Sequence, residues 1–118
     1  MLGLHRTFWL GVLCSFPAFA VLQPAAHVAN VELTQLPTQV RDTLRLIKQG
    51  GPFSFPRDGV VFGNYEHRLP QQSRGYYHEY TVKTPGTHGR GARRIVCGVL
   101  PECYYTGDHY QTFQRIRE

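Results

Sequence analysis

The chain has 118 residues, with 13 Lys and Arg against 8 Asp and Glu, for a formal net charge of +5. That length holds about one domain and excludes a multidomain machine. The basic balance, carried mainly by Arg, suits planar contacts with phosphates, yet it also fits plain solubility, so charge alone decides neither.

The first segment reads as a secretory signal. Arg6 gives a short positive start, Phe8 to Phe16 an apolar core, and Pro17 breaks it ahead of the small residues Ala18 and Ala20. A membrane anchor is disfavoured, because a span needs about 20 apolar residues and this run meets Ser15 and Pro17 first. A lipoprotein cut at Cys14 is disfavoured by Leu13, where a small residue is expected. Cleavage is expected after Ala20, with a later cut up to Ala29 left open. Residues 1–29 are therefore assigned to a signal peptide and flexible leader, residues 30–118 to the folded domain, and the destination is extracellular.

Leu36, Val40, Leu44 and Ile47 recur at helical spacing. Pro37 suits a first turn and Gly50-Gly51 a stop, so one amphipathic helix is expected from about Pro37 to Gln49. A Pro-rich loop follows, and Asp58-Gly59 turns the chain into Val60-Val61-Phe62. Strands are expected over Tyr76 to Lys83, Arg93 to Gly98, Glu102 to Thr106 and His109 to Arg117. The fold class is α+β: one helix covering one face of a small antiparallel meander, with the other face open to a ligand. Alternation puts Tyr77, Glu79 and Thr81 on one face and Tyr76, His78, Tyr80 and Val82 on the helix side. With Ile95 in the core, Arg94 joins Glu79 on the open face.

Loss of the signal removes Cys14 and leaves Cys97 and Cys103. In a secreted chain an even pair favours a disulfide, contributing about 2 kcal/mol through loop entropy. Zinc is the competitor, but His78, His88 and His109 lack the usual ligand spacing. No metal and no cofactor are expected.

Glu79, Arg90, Arg94 and His109 together suit one chemistry. RNA carries its own nucleophile, the 2′-hydroxyl. A base removes its proton, an acid protonates the departing 5′-oxygen, and fixed guanidinium groups meet the charge that gathers on phosphorus oxygens. Glu79 is the expected base, His109 the acid, and Arg90 and Arg94 the phosphate ligands. Singly, each has a plainer reading: a paired carboxylate, a solvated basic edge with Arg93, a turn histidine. The combination favours the enzyme.

A second cluster is Phe62-Gly63-Asn64-Tyr65-Glu66. Guanine presents two adjacent donors that one carboxylate, here Glu66, can accept. Gly63 lets the loop backbone approach the base, and Phe62 and Tyr65 can stack on it. On these residues alone, a Gly-Asn turn with Glu66 in water is the better account.

The run Asp58-Gly59-Val60-Val61-Phe62 with Asn64, Glu66 and Leu69-Pro70 resembles the actinobacterial guanyl-specific ribonucleases of the ribonuclease Sa type. So do Gly75 to Val82, Thr84-Pro85-Gly86, Arg90-Gly91 with Arg93-Arg94-Ile95, and Tyr104 to Tyr110. The likeness spans roughly Leu36 to Ile116. It implies that Glu79 is the general base and His109 the general acid, with Arg90 and Arg94 at the scissile phosphate and Tyr110 beside it. It implies that Glu66 reads guanine within the loop of Phe62, Gly63, Asn64 and Tyr65. The substrate is then single-stranded RNA, and a barstar-type inhibitor protein is a conceivable partner of a monomeric enzyme. Tyr65 stands where the family commonly has arginine, and Gly63 where a longer side chain can occur. The family's terminal disulfide is not evident. A binding module that holds single-stranded RNA without cutting it is the rival, and an antibacterial toxin is the same chemistry in another setting.

Overall fold

The structure, a computed structural model, describes residues 27–118. The expected signal segment and Cys14 lie outside the described residues. Among these residues six strands and one α-helix run in the order β1 (Ala29–Glu32), α1 (Thr38–Gln49), β2 (Val61–Phe62), β3 (Tyr77–Thr81), β4 (Arg94–Cys97), β5 (Cys103–Thr106) and β6 (Gln114–Arg117), with one 3-10 turn, Leu33–Gln35, between β1 and α1.

Helix α1 forms where the periodicity placed it. Val40, Thr43, Leu44 and Ile47 are its buried residues, one stripe at helical spacing. Pro37 precedes the first helical residue, and its carbonyl accepts from Val40 N at 2.9 Å. At the other end Gly50 takes a left-handed φ of 84°, and Gly51 N–H reaches back to Leu46 O at 2.9 Å. This six-to-one closure satisfies an otherwise orphaned carbonyl.

The sheet order is β1-β6-β5-β4-β3-β2. Strands β2 to β6 pair antiparallel, but β1 pairs parallel with β6, Ala29 opposite Gln114. The fold is α+β as expected, with a mixed sheet where a wholly antiparallel one was expected. Ala29, assigned above to the end of the leader, is the first residue of β1. Val31 is the only β-branched residue of β1, and its partner lies at the far end of the chain, so no local pattern announced it.

Two cores sandwich the sheet. Under α1, Val40, Leu44 and Ile47 meet Val82, Ile95, Cys97, Cys103, Tyr105 and Ile116, with Phe53 and Tyr80 at the margin. Cys97 and Cys103 face each other across β4 and β5 and form the disulfide, with Cα atoms 4.1 Å apart. On the opposite face Leu69, Tyr77, Val96, Tyr104 and Phe113 form a second cluster. That face is therefore only partly open. Tyr76, expected on the helix side, packs against this second cluster, edge-on to Tyr77 at 4.9 Å. Gly75, at φ 87°, precedes it and β3 begins only at Tyr77, so the alternation does not extend back that far. Gly98 makes room for the ring: a Cβ there would sit 2.1 Å from Tyr76 Cε1.

Candidate active site

Glu79 lies mid-β3 on the face away from α1, with only 6% of its surface exposed. The Asp58-Gly59 turn sets its backbone: Gly59 N donates to Glu79 O at 2.7 Å, and Glu79 N donates to Val60 O at 2.9 Å. Asp58 Oδ1 accepts from Thr81 N at 2.8 Å and anchors the same turn. A turn signal in the sequence thus becomes a clamp on the strand that carries the carboxylate.

Two groups meet this carboxylate, and a third reaches it through one of them. The Tyr110 hydroxyl donates to Glu79 Oε1 at 2.9 Å, and Arg90 Nη2 stands 3.3 Å from the same oxygen. Arg94 Nε donates to the Tyr110 oxygen at 3.0 Å. Burial, foremost, and the bond to Glu79 raise the Tyr110 pKa above its ordinary 10.0, which keeps the phenol protonated and donating. Arg90 Nε is held by Thr81 Oγ1 at 3.0 Å.

Arg94 is 2% exposed. Its Nη1 donates to the carbonyls of Arg93 at 2.8 Å, Gly91 at 3.0 Å and Arg90 at 3.3 Å. Those acceptors are neutral, and among the described residues no carboxylate oxygen lies within 4 Å of Arg94. A buried guanidinium without a direct counter-ion favours an arriving anion.

His109 is placed differently from its expected position. It does not open the last strand, which begins at Gln114; it sits in a turn, exposed, with φ 56°, and Tyr110 follows at φ 71°. Positive φ is costly for both residues, and Asp108 holds the turn against that cost. Its carboxylate accepts from Thr112 Oγ1 at 2.7 Å, Thr112 N at 2.9 Å, Thr106 Oγ1 at 2.9 Å and Gln111 N at 3.1 Å. The Thr112 hydroxyl and amide above all, then Thr106 and Gln111, lower the Asp108 pKa from 3.8 to about 2. His109 N–H also bonds Ala92 O at 2.9 Å. The result sets the imidazole against Tyr110, ring centres 4.8 Å apart. Tyr110 thus touches Glu79 on one side and His109 on the other.

Beside Glu79 and Tyr110 opens a cleft of about 280 Å³, lined by Val61 to Glu66 together with Arg57 and Arg68. Phe62 stacks on Tyr110 at 5.3 Å, so one face of its ring is already covered. Asn64 is buried and points into its own loop: Nδ2 donates to Leu69 O at 2.9 Å and Oδ1 accepts from Leu69 N at 3.0 Å. Its side chain therefore shapes the loop. Tyr65 is 86% exposed, and its ring lies over Gly63, where a Cβ would come within 2.3 Å of Tyr65 Cε2. Glu66 is exposed and paired with Arg68 at 2.6 Å.

The structure thus brings Glu79, Arg90, Arg94 and Tyr110 into one bonded array, places His109 against it, and sets Phe62 to Glu66 around the adjoining cleft. Arg57, Arg68, Thr81 and Asp108 are the residues that reading the sequence missed. Arg57 beside the Asp58-Gly59 turn was the one visible signal, since that turn abuts the base-bearing strand. Among the described residues no three His, Cys, Asp or Glu side chains cluster closely enough to hold a metal ion.

A family model described as ribonuclease matches residues 21–117. The chain is 59% identical over 88 residues to guanyl-specific ribonuclease Sa of Kitasatospora aureofaciens, covering 74% of this chain and 92% of that protein. Guanyl-specific ribonuclease Sa3 of the same organism is 57% identical over 90 residues, which cover 75% of this chain but only 64% of Sa3. Guanyl-specific ribonuclease St of Saccharopolyspora erythraea is 54% identical over 85 residues, covering 72% and 84%. Among solved structures, ribonuclease Sa2 in complexes with mononucleotides superposes with a TM-score of 0.76 at 53% identity, covering 78% of this chain and 96% of that one. Ribonuclease Sa2 with guanosine-2′-cyclophosphate gives 0.73 at 54% identity, covering 76% and 97%.

Proposed function

The chain belongs to the ribonuclease family, and from that premise we propose that it is a secreted, metal-independent endoribonuclease that cuts single-stranded RNA after guanine. The observation that carries this reading is the array of Glu79, Tyr110, Arg90 and Arg94 beside the cleft that ends at Glu66. The guanosine-2′-cyclophosphate bound by ribonuclease Sa2 agrees with it.

In the proposed reaction, Glu79 takes the proton of the 2′-hydroxyl as that oxygen attacks phosphorus. His109 gives its proton to the departing 5′-oxygen, which leaves as an alcohol. The phosphorus–5′-oxygen bond breaks, and a 2′,3′-cyclic phosphate forms. Arg90 and Arg94 hold the non-bridging oxygens and stabilise their added charge. In the second step the roles reverse: His109 accepts a proton from water, water attacks phosphorus, and Glu79 returns its proton to the 2′-oxygen. The product is a 3′-phosphate.

Guanine specificity is assigned to Glu66, which accepts the two donors of the base edge while the loop backbone serves the 6-oxygen. Secretion is supported by the signal-like segment and by the Cys97–Cys103 disulfide. An inhibitor of barstar type, presenting acidic groups to Arg57, Arg68, Arg90 and Arg94, fits the charge of this face.

The test is product analysis of an oligoribonucleotide with a single G, incubated in EDTA. Cleavage only after that G, leaving a 2′,3′-cyclic or 3′-phosphate, is the expected result. Intact RNA after long incubation with folded protein overturns the proposal and leaves a binding module.

A further inference from the structure

Glu79 pairs across the sheet with Val96, Val96 with Tyr104, Tyr104 with Arg115, and Arg115 with Asn30. Residues paired in this way share one face, so Arg115 and, two positions on, Arg117 lie on the same face as the catalytic carboxylate. Three strand spacings separate Glu79 from Arg115, roughly 14 Å. Between them rises the second apolar cluster, with Leu69 and Phe113.

Beyond that cluster is a separate cavity of about 250 Å³, whose lining includes Arg115, Arg117, Asn30, Tyr104, Pro70 and His27. The Arg115 guanidinium lies over the Tyr104 ring, 5.6 Å from its centre. Its Nε is buried and has no hydrogen-bond partner, a state that is costly until an acceptor arrives. Arg117 Nε is fixed by Asn30 Oδ1 at 3.0 Å. Two carboxylates lie nearby, and neither forms an ion pair with these arginines. Glu102 accepts the hydroxyls of Tyr76 and Tyr104. Glu32 is the register partner of Arg117. Among the described residues, neither arginine has a carboxylate oxygen within 4 Å.

We propose that Arg115 and Arg117 form a second phosphate-binding subsite, which holds a phosphodiester of the RNA strand a few nucleotides from the scissile bond. The subsite rests on the ribonuclease reading for its substrate, and it makes the enzyme favour long RNA over dinucleotides. An RNA strand crossing this side of the protein meets one cationic site at Arg90 and Arg94 and a second at Arg115 and Arg117, with the buried second cluster and the segments that cover it between. A single-stranded polyanion gains affinity from each phosphate so neutralised, with the salt dependence that counterion release imposes.

The experiment compares the wild type with the double variant Arg115→Gln/Arg117→Gln on the dinucleotide GpC and on a longer single-G oligoribonucleotide. The variant is expected to cleave GpC normally and to lose kcat/KM on the longer substrate by on the order of fivefold. Its log–log salt slope should be shallower by about 0.7, the change for a single phosphate that is no longer neutralised. Arg115→Lys/Arg117→Lys is expected to keep most of the long-substrate preference, because charge is retained. An unchanged ratio between substrates, or an equal loss on both, overturns the subsite. If the wild type cleaves neither substrate, the ribonuclease reading fails on its own. Binding of the matching oligodeoxynucleotide then decides the subsite: a shallower salt slope in the double Gln variant supports it, and an unchanged slope sinks it.

Discussion

The Tyr110 hydroxyl donates to Glu79 Oε1 at 2.9 Å while accepting from Arg94 Nε at 3.0 Å. A single phenol therefore couples the proposed base to the most buried cation of the site. Arg90 is the direct ionic partner of Glu79; Arg94 reaches it only through this oxygen. Tyr110→Phe keeps the ring, and with it the stack on Phe62, but leaves both groups one partner short. Hydrogen bonds to charged groups are worth about 1.5–3 kcal/mol, so kcat/KM on GpC is expected to fall roughly tenfold to a hundredfold. Unchanged turnover in a correctly melting variant would remove Tyr110 from the positioning of Glu79.

The acid–base assignment makes a stronger demand. Glu79→Gln preserves shape and an acceptor for Tyr110 but cannot take a proton. His109→Gln, in a turn already held by Asp108, removes the acid. Each is expected to lower turnover by at least about a hundredfold with the fold intact. Near-normal turnover in both variants contradicts the mechanism.

Local regularities carried much of this site into view. The stripe Leu36, Val40, Leu44, Ile47 repeats every three or four residues, and the alternation through Tyr77, Glu79 and Thr81 needs only one strand. Both survive as read. The pairing of Cys97 with Cys103 follows from a short hairpin. Features that depend on distant partners or on left-handed backbone did not show. Strand β1 exists because β6, more than 80 residues later, offers an edge. His109 looked like a strand residue because nothing in its own side chain reveals that Asp108 bonds Thr106 and Thr112 around it. Asn64 was read as a member of the recognition loop, and nothing local showed that both ends of its side-chain amide are spent on Leu69.

Asp108 makes the site sensitive to acid. Its folded pKa, about 2, lies below the ordinary 3.8, so folding favours the ionised form. Its stabilisation of the turn is therefore complete above 3.8 and is lost as pH falls through about 2. The amides of Gln111 and Thr112, which donate to this carboxylate, should show falling hydrogen-exchange protection across that window, after correction for intrinsic rates. Asp108→Ala should show the same loss at neutral pH and reduced turnover, because His109 and Tyr110 then relax from φ 56° and 71°. Protection that is flat between about pH 4 and 2 in the wild type would refute the link.

The disulfide should matter to stability and not to chemistry. Cys97 and Cys103 lie in the core under α1, whereas Glu79 and Arg94 face the other side of the sheet. Replacing both cysteines by serine is expected to cost about 2 kcal/mol by loop entropy, lowering Tm by roughly 10 °C for a domain of this size. Turnover at 25 °C should stay within about twofold, since the domain remains folded. A large loss of kcat/KM at a temperature where the variant is folded would mean that the bridge sets the register of β4 and so the position of Arg94.

In the proposed reading, Glu66 exchanges partners when it takes a base. In the free protein it is paired with Arg68 at 2.6 Å, and Glu66 is 71% exposed at its side chain. An exposed pair of this kind contributes about 0–1 kcal/mol, so the exchange is inexpensive. Glu66→Ala is expected to collapse the ratio of GpC to ApC cleavage while leaving ApC turnover nearly unchanged, because the variant loses only the acceptor for the guanine donors. Arg68→Ala should keep the ratio or raise it, since it frees the carboxylate. Gly63→Ala separates loop shape from carboxylate chemistry: the added methyl meets the Tyr65 ring at 2.3 Å and displaces it, so KM for GpC should change with Glu66 intact. A GpC to ApC ratio that Glu66→Ala leaves untouched would transfer guanine recognition to the loop backbone alone.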